Sequence, residues 1–432
     1  MEVQESELEK PVYEKRITFA IYLSIFLGSS ILFFTEPFEG YFHYLIYLML
    51  LPFFVGRFGM PQISFKLLLI PIFVGIFQIM LGNNEAFLFI KITGGMLLSV
   101  SFYYYVVMYF DLNTKLMFEI FLKWSYWTAI VALIQFVSYK INFKLGYDYG
   151  WLLNKGGHNI GDGGIRVNSF LLEPSQLGIF LAPAAFISLI NIFQRKKIIY
   201  KSYQNYVILA AIYVSRSSTG YLGIFLCVLL LAINYGYFAY FVFITIGGYF
   251  LGLGLYNSVD EFKLRVDTSL SLWVDQDFSY KNINTSSFVL YNNAHIAWEN
   301  FKEHPLFGTG LGSHPVAYEQ YSFTKSIVNV KGIEFNKKDA NSMFLRLMSE
   351  TGLLGVGFIL FIIFSGYVGF DGSDRQHWTI SGAMLVVILL YLLRQGNYFL
   401  NGFPFLVWLY YYNKISYLEE INAENSKHGR KS

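Results

Sequence analysis

The chain alternates between long apolar runs and short polar connections, with one long polar interval at 256–342. A bilayer-spanning helix needs about 20 apolar residues, and by that measure the sequence predicts about twelve membrane-spanning helices. The seventh and eighth runs are short and meet at a polar turn, so they form either a transmembrane hairpin or one broken re-entrant unit. The runs lie at 17–34, 41–56, 65–81, 87–110, 116–138, 174–193, 204–215, 219–233, 237–256, 343–369, 378–393 and 398–413.

Composition strengthens this interpretation. Hydrophobic residues make up 55% of the chain and charged residues only 14%, and the mean hydropathy is +0.43. These values are typical of polytopic membrane proteins rather than of soluble domains. The formal net charge of +3 comes without a basic stripe, so no nucleic-acid partner is expected. The expected fold class is all-α, a polytopic inner-membrane protein with one large extracytoplasmic loop.

The distribution of lysine and arginine predicts the orientation. The outer connections 35–40 and 82–86 contain neither residue, whereas 195–201 and the tail after 413 are rich in both. Because cytoplasmic connections collect positive charge, both termini are predicted to be cytoplasmic. The expected organisation is a cytoplasmic N-terminus at 1–16, helices one to nine at 17–255 with an outer loop at 139–173, a large outer loop at 256–342, helices ten to twelve at 343–413, and a cytoplasmic tail at 414–432.

The sequence gives little support for a metal site or a nucleotide-binding site. The only cysteine, Cys227, lies within an apolar run, and His304 and His314 have no clear third ligand nearby. A zinc site is therefore not expected. The glycines at 308–312 follow no strand and do not form a dinucleotide-binding fingerprint.

Two short segments each place an arginine next to a predicted membrane-spanning helix. Arg166 and Glu173 stand just before a helix predicted to start at Pro174, and the planar fork of Arg166 suits phosphate oxygens. Alternatively, these two residues pair with each other. Arg216 lies among hydroxyl side chains in the turn between two runs, which makes it a functional candidate. Its alternative role is snorkelling to the interface.

The large loop supplies further candidates. His295, Trp298 and Glu299 have helical spacing, so His295 is either catalytic or a structural partner of Glu299. At the loop's end, Asp339 leads into a helix that carries Arg346 and Glu350. Residues four apart on a helix can pair with each other, which is the alternative to a catalytic role for Arg346.

Taken together, these motifs resemble the O-antigen polymerase and O-antigen ligase superfamily of lipid-linked-glycan transferases. The resemblance lies in R-x-x-x-F-x-x-E-P at 166–174, the Ser-Arg turn at 215–216, and P-L-F-G-T-G-L-G at 305–312 followed by N-S-M-F-L-R-L-M-S-E-T-G-L-L-G at 341–355. The ligases of this superfamily place a histidine just before the asparagine that opens the exit helix. Here Ala340 precedes Asn341, and this departure favours a polymerase.

The resemblance implies a metal-independent glycosyltransferase without a cofactor. The expected substrates are polyprenyl-diphosphate-linked oligosaccharides in the lipid bilayer, for O-antigen of lipopolysaccharide, capsule or exopolysaccharide. A flippase and a chain-length regulator are the expected partners. Arg216 and Arg166 would hold the diphosphate, with Arg265 or Arg346 contributing from the large loop and its exit, and Trp298 stacking on a sugar. Asp339, His295 and Glu173 are the candidates for accepting the hydroxyl proton.

Two rival functions remain open at the level of sequence. A ligase would transfer finished glycan to another acceptor with the same fold. A transporter or flippase of lipid-linked sugars would show repeat symmetry and charges deep within several helices. The unusual charges here gather at predicted outer turns, which favours an enzyme.

Overall fold

A computed structural model of the chain describes residues 14–36, 38–153, 159–161, 164–195, 197–236, 238–258, 260–275, 284–325, 334–372 and 376–428. Helices dominate this part of the chain. The helices are α1 Lys15–Phe26, α2 Phe42–Phe58, α3 Gln62–Met80, α4 Ala86–Tyr109, α5 Thr114–Lys140, α6 Lys144–Tyr147, α7 Pro174–Gln194, α8 Ser202–Ser215, α9 Ser218–Asn234, α10 Phe238–Ser258, α11 Asp260–Leu270, α12 Thr285–Glu303, α13 His314–Tyr321, α14 Met343–Gly366, α15 His377–Arg394 and α16 Phe403–His428. Two antiparallel ribbons pair β1 Leu32–Phe34 with β2 Gly40–Tyr41, and β3 Asn159–Gly161 with β4 Gly164–Arg166.

The protein is an all-α membrane protein. Among the described residues, six helices are long and apolar enough to cross a bilayer, namely α3, α4, α5, α7, α14 and α15. Many apolar side chains of α3 are exposed, among them Ile70, Phe73 and Met80. Such an apolar exterior fits contact with lipid rather than water. The total of twelve spans and their orientation stay predictions.

The predicted runs and the helices agree in most places and differ at the two ends. The last run is predicted at 398–413, but α16 extends from Phe403 to His428. At the first run the helix is shorter than predicted. That run was predicted to continue to residue 34, but α1 ends at Phe26 and residues 32–34 form β1. The hydroxyl of Ser30 donates to the carbonyl oxygen of Phe170, which holds this segment against the distant 139–173 loop. Apolar residues in β1 therefore extend the run in sequence without extending the helix.

The centre of the bundle is built around α7 and α15, the most buried of the six candidate spans. The backbones of α7 and α9 touch, because a β-carbon at Gly178 would lie 2.6 Å from the Cα of Gly220. Glycines permit such close helix contact in membranes. This contact brings the beginnings of α7 and α9 together at one end of the bundle.

The long polar interval before α14 is itself largely helical, with α11, a π-helical turn at Ser271–Asp275, α12 and α13. It is anchored in the bundle through the turn at 305–312. The side-chain amide of Asn84 donates to the carbonyl oxygen of Leu311 over 3.0 Å. A β-carbon at Gly312 would lie 2.7 Å from the carbonyl oxygen of Leu88, so the turn packs directly on α4.

Helix α14 is broken at Gly352, where φ is 60° and ψ is −148°. The 305–312 turn bonds to both sides of the break. On one side, the amides of Leu353 and Leu354 donate to the carbonyl oxygens of Pro305 and Leu306 over 2.8 and 3.1 Å. On the other, the amide of Gly310 donates to the carbonyl oxygen of Glu350 over 2.7 Å. The backbone groups freed by the break are thus satisfied within the protein, as membrane burial requires.

Candidate active site

A cavity of about 1040 Å³ opens at the end of the bundle where several helices begin. Its walls come from the beginnings of α2, α7, α9, α12 and α14, from the first half of α4, and from the connections before α2, before α14 and between α15 and α16. These segments span most of the sequence. The cavity is large enough for a substrate of several groups, since ordinary ligand pockets measure roughly 300–1,000 Å³.

Helix N-termini give this cavity a positive electrostatic bias. Pro174, Ser218 and Thr285, each the first residue of its helix, belong to the lining. The first turn of a helix carries about half a positive elementary charge and amides without intrahelical acceptors. Several such ends facing one space favour an anionic ligand.

Arg346 is the most constrained cation in the cavity wall. Its side chain is 2% exposed, its Nε donates to Oε1 of Glu350 over 2.9 Å, and its Nη1 donates to the carbonyl oxygen of Gly396 over 3.0 Å. Its Nη2 is buried, and no described residue accepts a hydrogen bond from it. A buried guanidinium donor without a partner is costly, which marks it as a group suited to an external acceptor.

Glu350 and Tyr398 hold Arg346 in place. The hydroxyl of Tyr398 donates to Oε2 of Glu350 over 3.0 Å, and the backbone amide of His314 donates to Oε1 over 3.4 Å. Both carboxylate oxygens are therefore engaged beside the break in α14. The pairing of Arg346 with Glu350, which the sequence offers as the alternative to a catalytic role, is present, and Arg346 nevertheless lines the cavity.

Asp339 is the carboxylate that precedes this helix, and it also lines the cavity. Its Oδ1 accepts from the side-chain amide of Asn336 over 2.9 Å and from the backbone amide of Asn341 over 3.2 Å. The next two residues, Ala340 and Asn341, have φ values of 57° and 55°. A left-handed conformation costs an alanine about 1 kcal/mol or more, so the surrounding packing enforces this turn.

Gly396 completes that packing. A β-carbon at this position would overlap the carbonyl oxygen of Asp339, so only glycine permits the connection after α15 to approach so closely. The same residue accepts the hydrogen bond from Arg346. Gly396 therefore sets the positions of both Asp339 and Arg346.

A bridged carboxylate, Glu39, also belongs to the cavity lining. Oε2 of Glu39, in the connection between α1 and α2, lies 2.6 Å from Nζ of Lys91, and its Oε1 lies 2.6 Å from Nζ of Lys338. Burial alone raises the pKa of Glu39, but the hydrogen bonds from Lys338 and Lys91 outweigh burial and lower the pKa to about 2. The bridge joins the α1–α2 connection, α4 and the end of the large loop.

Four of the predicted site residues meet in this cavity: Arg166, Glu173, Asp339 and Arg346. Glu173 is exposed and its Oε2 accepts from Ser175 Oγ over 2.9 Å. Arg216 is exposed at the C-terminus of α8, with φ of 49°, and lies beside the lining residue Ser217 without lining the cavity itself.

The structure does not bring His295 and Trp298 to the cavity. The α12 residues in the lining are Thr285, Ser286 and Val289, near its beginning. His295 stacks on Phe323 with 4.1 Å between ring centroids, and its Nδ1 lies 3.8 Å from Oε1 of Glu299. Burial lowers the pKa of His295, while the Glu299 carboxylate opposes that change.

Trp298 is exposed and stacks on Phe301, and Arg265 belongs to α11 with its side chain outside the described part of the structure. Among the described residues, no group of three or more His, Cys, Asp or Glu side chains is placed to hold a metal ion.

Sequence reasoning missed Glu39, Lys91, Lys338 and Tyr398. A usable signal existed for Lys91, which stands inside the apolar run 87–110. A charge within a membrane-spanning segment is a functional candidate by default. Glu39 gave no such signal, because it lies in a short polar connection where carboxylates are common.

A scan against models of known protein families finds no match for the chain, and a search of curated proteins finds none either. What the site can do follows from its own chemistry. It offers a large cavity in a membrane protein, lined by buried and partly buried cations, helix N-termini and several carboxylates. This arrangement favours an anionic ligand.

Proposed function

We propose that the protein is a glycosyltransferase that polymerises polyprenyl-diphosphate-linked oligosaccharide repeats at the outer face of the cytoplasmic membrane, for O-antigen, capsule or exopolysaccharide. The observation that carries this proposal is that Arg346, a buried guanidinium in the lining of a large cavity, finds no hydrogen-bond partner for its Nη2 among the described residues. The resemblance of residues 166–174, 215–216 and 305–355 to the polymerase and ligase superfamily supports it. The proposal includes twelve spans with both termini in the cytoplasm.

In this proposal Arg346, Arg166 and Arg216 bind the diphosphate of the donor. A hydroxyl of the acceptor sugar attacks the anomeric carbon, the bond from that carbon to the diphosphate oxygen breaks, and polyprenyl diphosphate leaves. Fixed cations stabilise the negative charge that develops on the leaving group. Because the donor carries its own activated bond, the reaction needs no nucleotide.

Asp339 accepts the proton of the attacking hydroxyl. Its Oδ1 is held by two hydrogen bonds, which fixes the orientation of the carboxylate in the cavity. A positioned general base of this kind contributes roughly 10²–10⁴-fold to the rate. Glu173, on the wall formed by α7, is the second carboxylate within the cavity that the sequence singled out.

The direct test incubates the purified full chain, in nanodiscs, with a single lipid-linked repeat unit. Polymerase activity gives a ladder of products from that one substrate. A product that forms only after a second, unrelated acceptor is added identifies a ligase, and movement of the lipid without a new glycosidic bond identifies a transporter. Arg216→Ala is expected to leave single repeats unextended, and normal chain lengths in that variant would remove Arg216 from the mechanism.

A further inference from the structure

The cavity has an apolar arm that the proposed chemistry at the diphosphate does not use. On α4 its lining residues include Phe87, Ile90, Gly94 and Leu98. Their spacing of three or four places them on one face of the helix. Tyr44 and Leu48 of α2 extend the same wall.

The charge of this arm lies near the beginning of α4. Lys91, bonded to Glu39, is in the second turn, and the lining residues after it, Ile92, Gly94, Gly95 and Leu98, carry no charge. At ~1.5 Å per residue, the stripe from Phe87 to Leu98 is roughly 16 Å long, which is about half of the ~30 Å hydrocarbon layer. Since α4 is a candidate membrane span, the arm descends into the bilayer.

The arm is open towards lipid and has space for a chain. Leu48 and Ile90 are 62% and 67% exposed. Gly94 is also exposed, and a β-carbon placed there would meet no atom within 4 Å. The charged end of the cavity and this apolar arm are thus continuous, which matches a ligand with an anionic head and a hydrocarbon tail.

We propose that the groove between α2 and α4, with Gly94 as its floor, holds the polyprenyl chain of the lipid diphosphate whose head binds beside Arg346. This inference rests on the proposed function for the identity of the head group. The head and the tail can then bind at the same time, because the groove is part of the same cavity as the cations. The groove leads away from the cations into the membrane. A side chain at position 94 would occupy that path.

The experiment compares Gly94→Leu with Gly357→Leu in the full chain, in phosphatidylcholine nanodiscs. Gly357, on the candidate span α14, is likewise exposed with open space around it, but it does not line the cavity. The probes are undecaprenyl diphosphate and dimethylallyl diphosphate, which share the diphosphate head and differ in the length of the chain.

Gly94→Leu is expected to weaken undecaprenyl diphosphate binding about tenfold or more, as displacing one or two buried apolar contacts would. Dimethylallyl diphosphate binding should stay within about twofold, because the short chain does not reach the groove. Gly357→Leu should change neither. Equal losses in both leucine variants, or undiminished long-chain binding in Gly94→Leu, would overturn the inference.

The same binding measurements distinguish a wrong groove assignment from a wrong proposed function. If the unmodified protein binds neither probe, no lipid diphosphate is recognised and both proposals fall. If it binds the two probes equally, the cationic cavity stands and the groove assignment is wrong. If a photoreactive phosphatidylcholine labels Leu48 and Leu98 and excess undecaprenyl diphosphate does not compete, an ordinary membrane lipid occupies the groove and the inference is overturned.

Discussion

The ring of Tyr398 lies over the guanidinium group of Arg346, with 4.4 Å between Cζ and the ring centroid. Tyr398 also donates to Glu350, so one side chain supports both members of the buried ion pair. A buried pair stabilises a fold only when hydrogen bonds satisfy its remaining atoms. Here the carboxylate is satisfied, whereas no residue in the described part of the chain accepts from Nη2 of the guanidinium, which leaves that nitrogen for a ligand.

Arg346→Lys is expected to lower the polymerisation rate about 10²-fold or more, comparable to the loss of one donor to a developing anion. The ammonium group can keep its contact with Glu350, but it lacks the planar fork that also reaches Gly396. The measurement is the initial rate of ladder formation, together with thermal unfolding in detergent. A rate close to that of the unmodified protein would show that Arg346 is only structural.

Comparison of Arg346→Ala with Arg346→Lys separates the effect of the positive charge at position 346 from the effect of the guanidinium geometry. The alanine variant removes the partner of a fully buried Glu350, and breaking such a pair costs about 3–5 kcal/mol. This variant should therefore fail to fold stably, whereas Arg346→Lys should fold. If both variants fold equally well, Glu350 is not held by Arg346.

Gly352→Ala is expected to destabilise the protein by about 2 kcal/mol or more, because its backbone conformation is essentially restricted to glycine. Its new methyl group would also lie 2.5 Å from the carbonyl oxygen of Pro305. Gly357→Ala, in the same helix and in open space, should be neutral or stabilising by ~0.5–1 kcal/mol. Equilibrium unfolding in detergent measures both, and equal effects would mean that the break in α14 is not needed for stability.

Some of these features could be predicted from the sequence, and others could not. Apolar runs predicted helices well, since a helix satisfies its own backbone in a membrane and leaves a simple signature. The start of α7 at Pro174 and the pairing of Arg346 with Glu350 are local features, and the structure agrees with both. The break at Gly352 was missed, because it is stabilised by residues 305–310, far away in sequence.

The cavity itself could not be predicted for the same reason. Hydropathy does not tell which helices are neighbours, so nothing linked Glu39 to Lys338, or either residue to Lys91. The sequence instead drew attention to His295 and Trp298, whose helical spacing is correct but whose helix reaches the cavity only near its beginning. Local sequence patterns thus identified the lining residues near the beginnings of α7 and α14. They missed the lining residues of the wall formed by α2 and α4.

Glu39→Gln is expected to destabilise the protein at neutral pH, because Lys91 and Lys338 lose their shared carboxylate. The pKa of Glu39 is lowered from 4.5 to about 2 in the folded protein, so its contribution is fully present above pH 4.5 and is lost as the pH falls towards 2. The stability difference between Glu39→Gln and the unmodified protein should therefore shrink over that window. Unfolding free energies at several pH values measure it, and a constant difference would contradict the bridge.

Asp339→Asn is expected to slow the chemical step by roughly 10²–10⁴-fold, the usual range for loss of a general base. The amide keeps the size of the side chain and an oxygen to accept from Asn341, so lipid diphosphate binding should be unchanged. His295→Gln provides the comparison, because His295 was the other candidate catalytic base and lies outside the cavity lining. Its rate should stay close to normal. Single-turnover rates and binding affinities for both variants decide between them: a slow His295→Gln with a normal Asp339→Asn would transfer the role of base to the imidazole and require α12 to move towards the cavity.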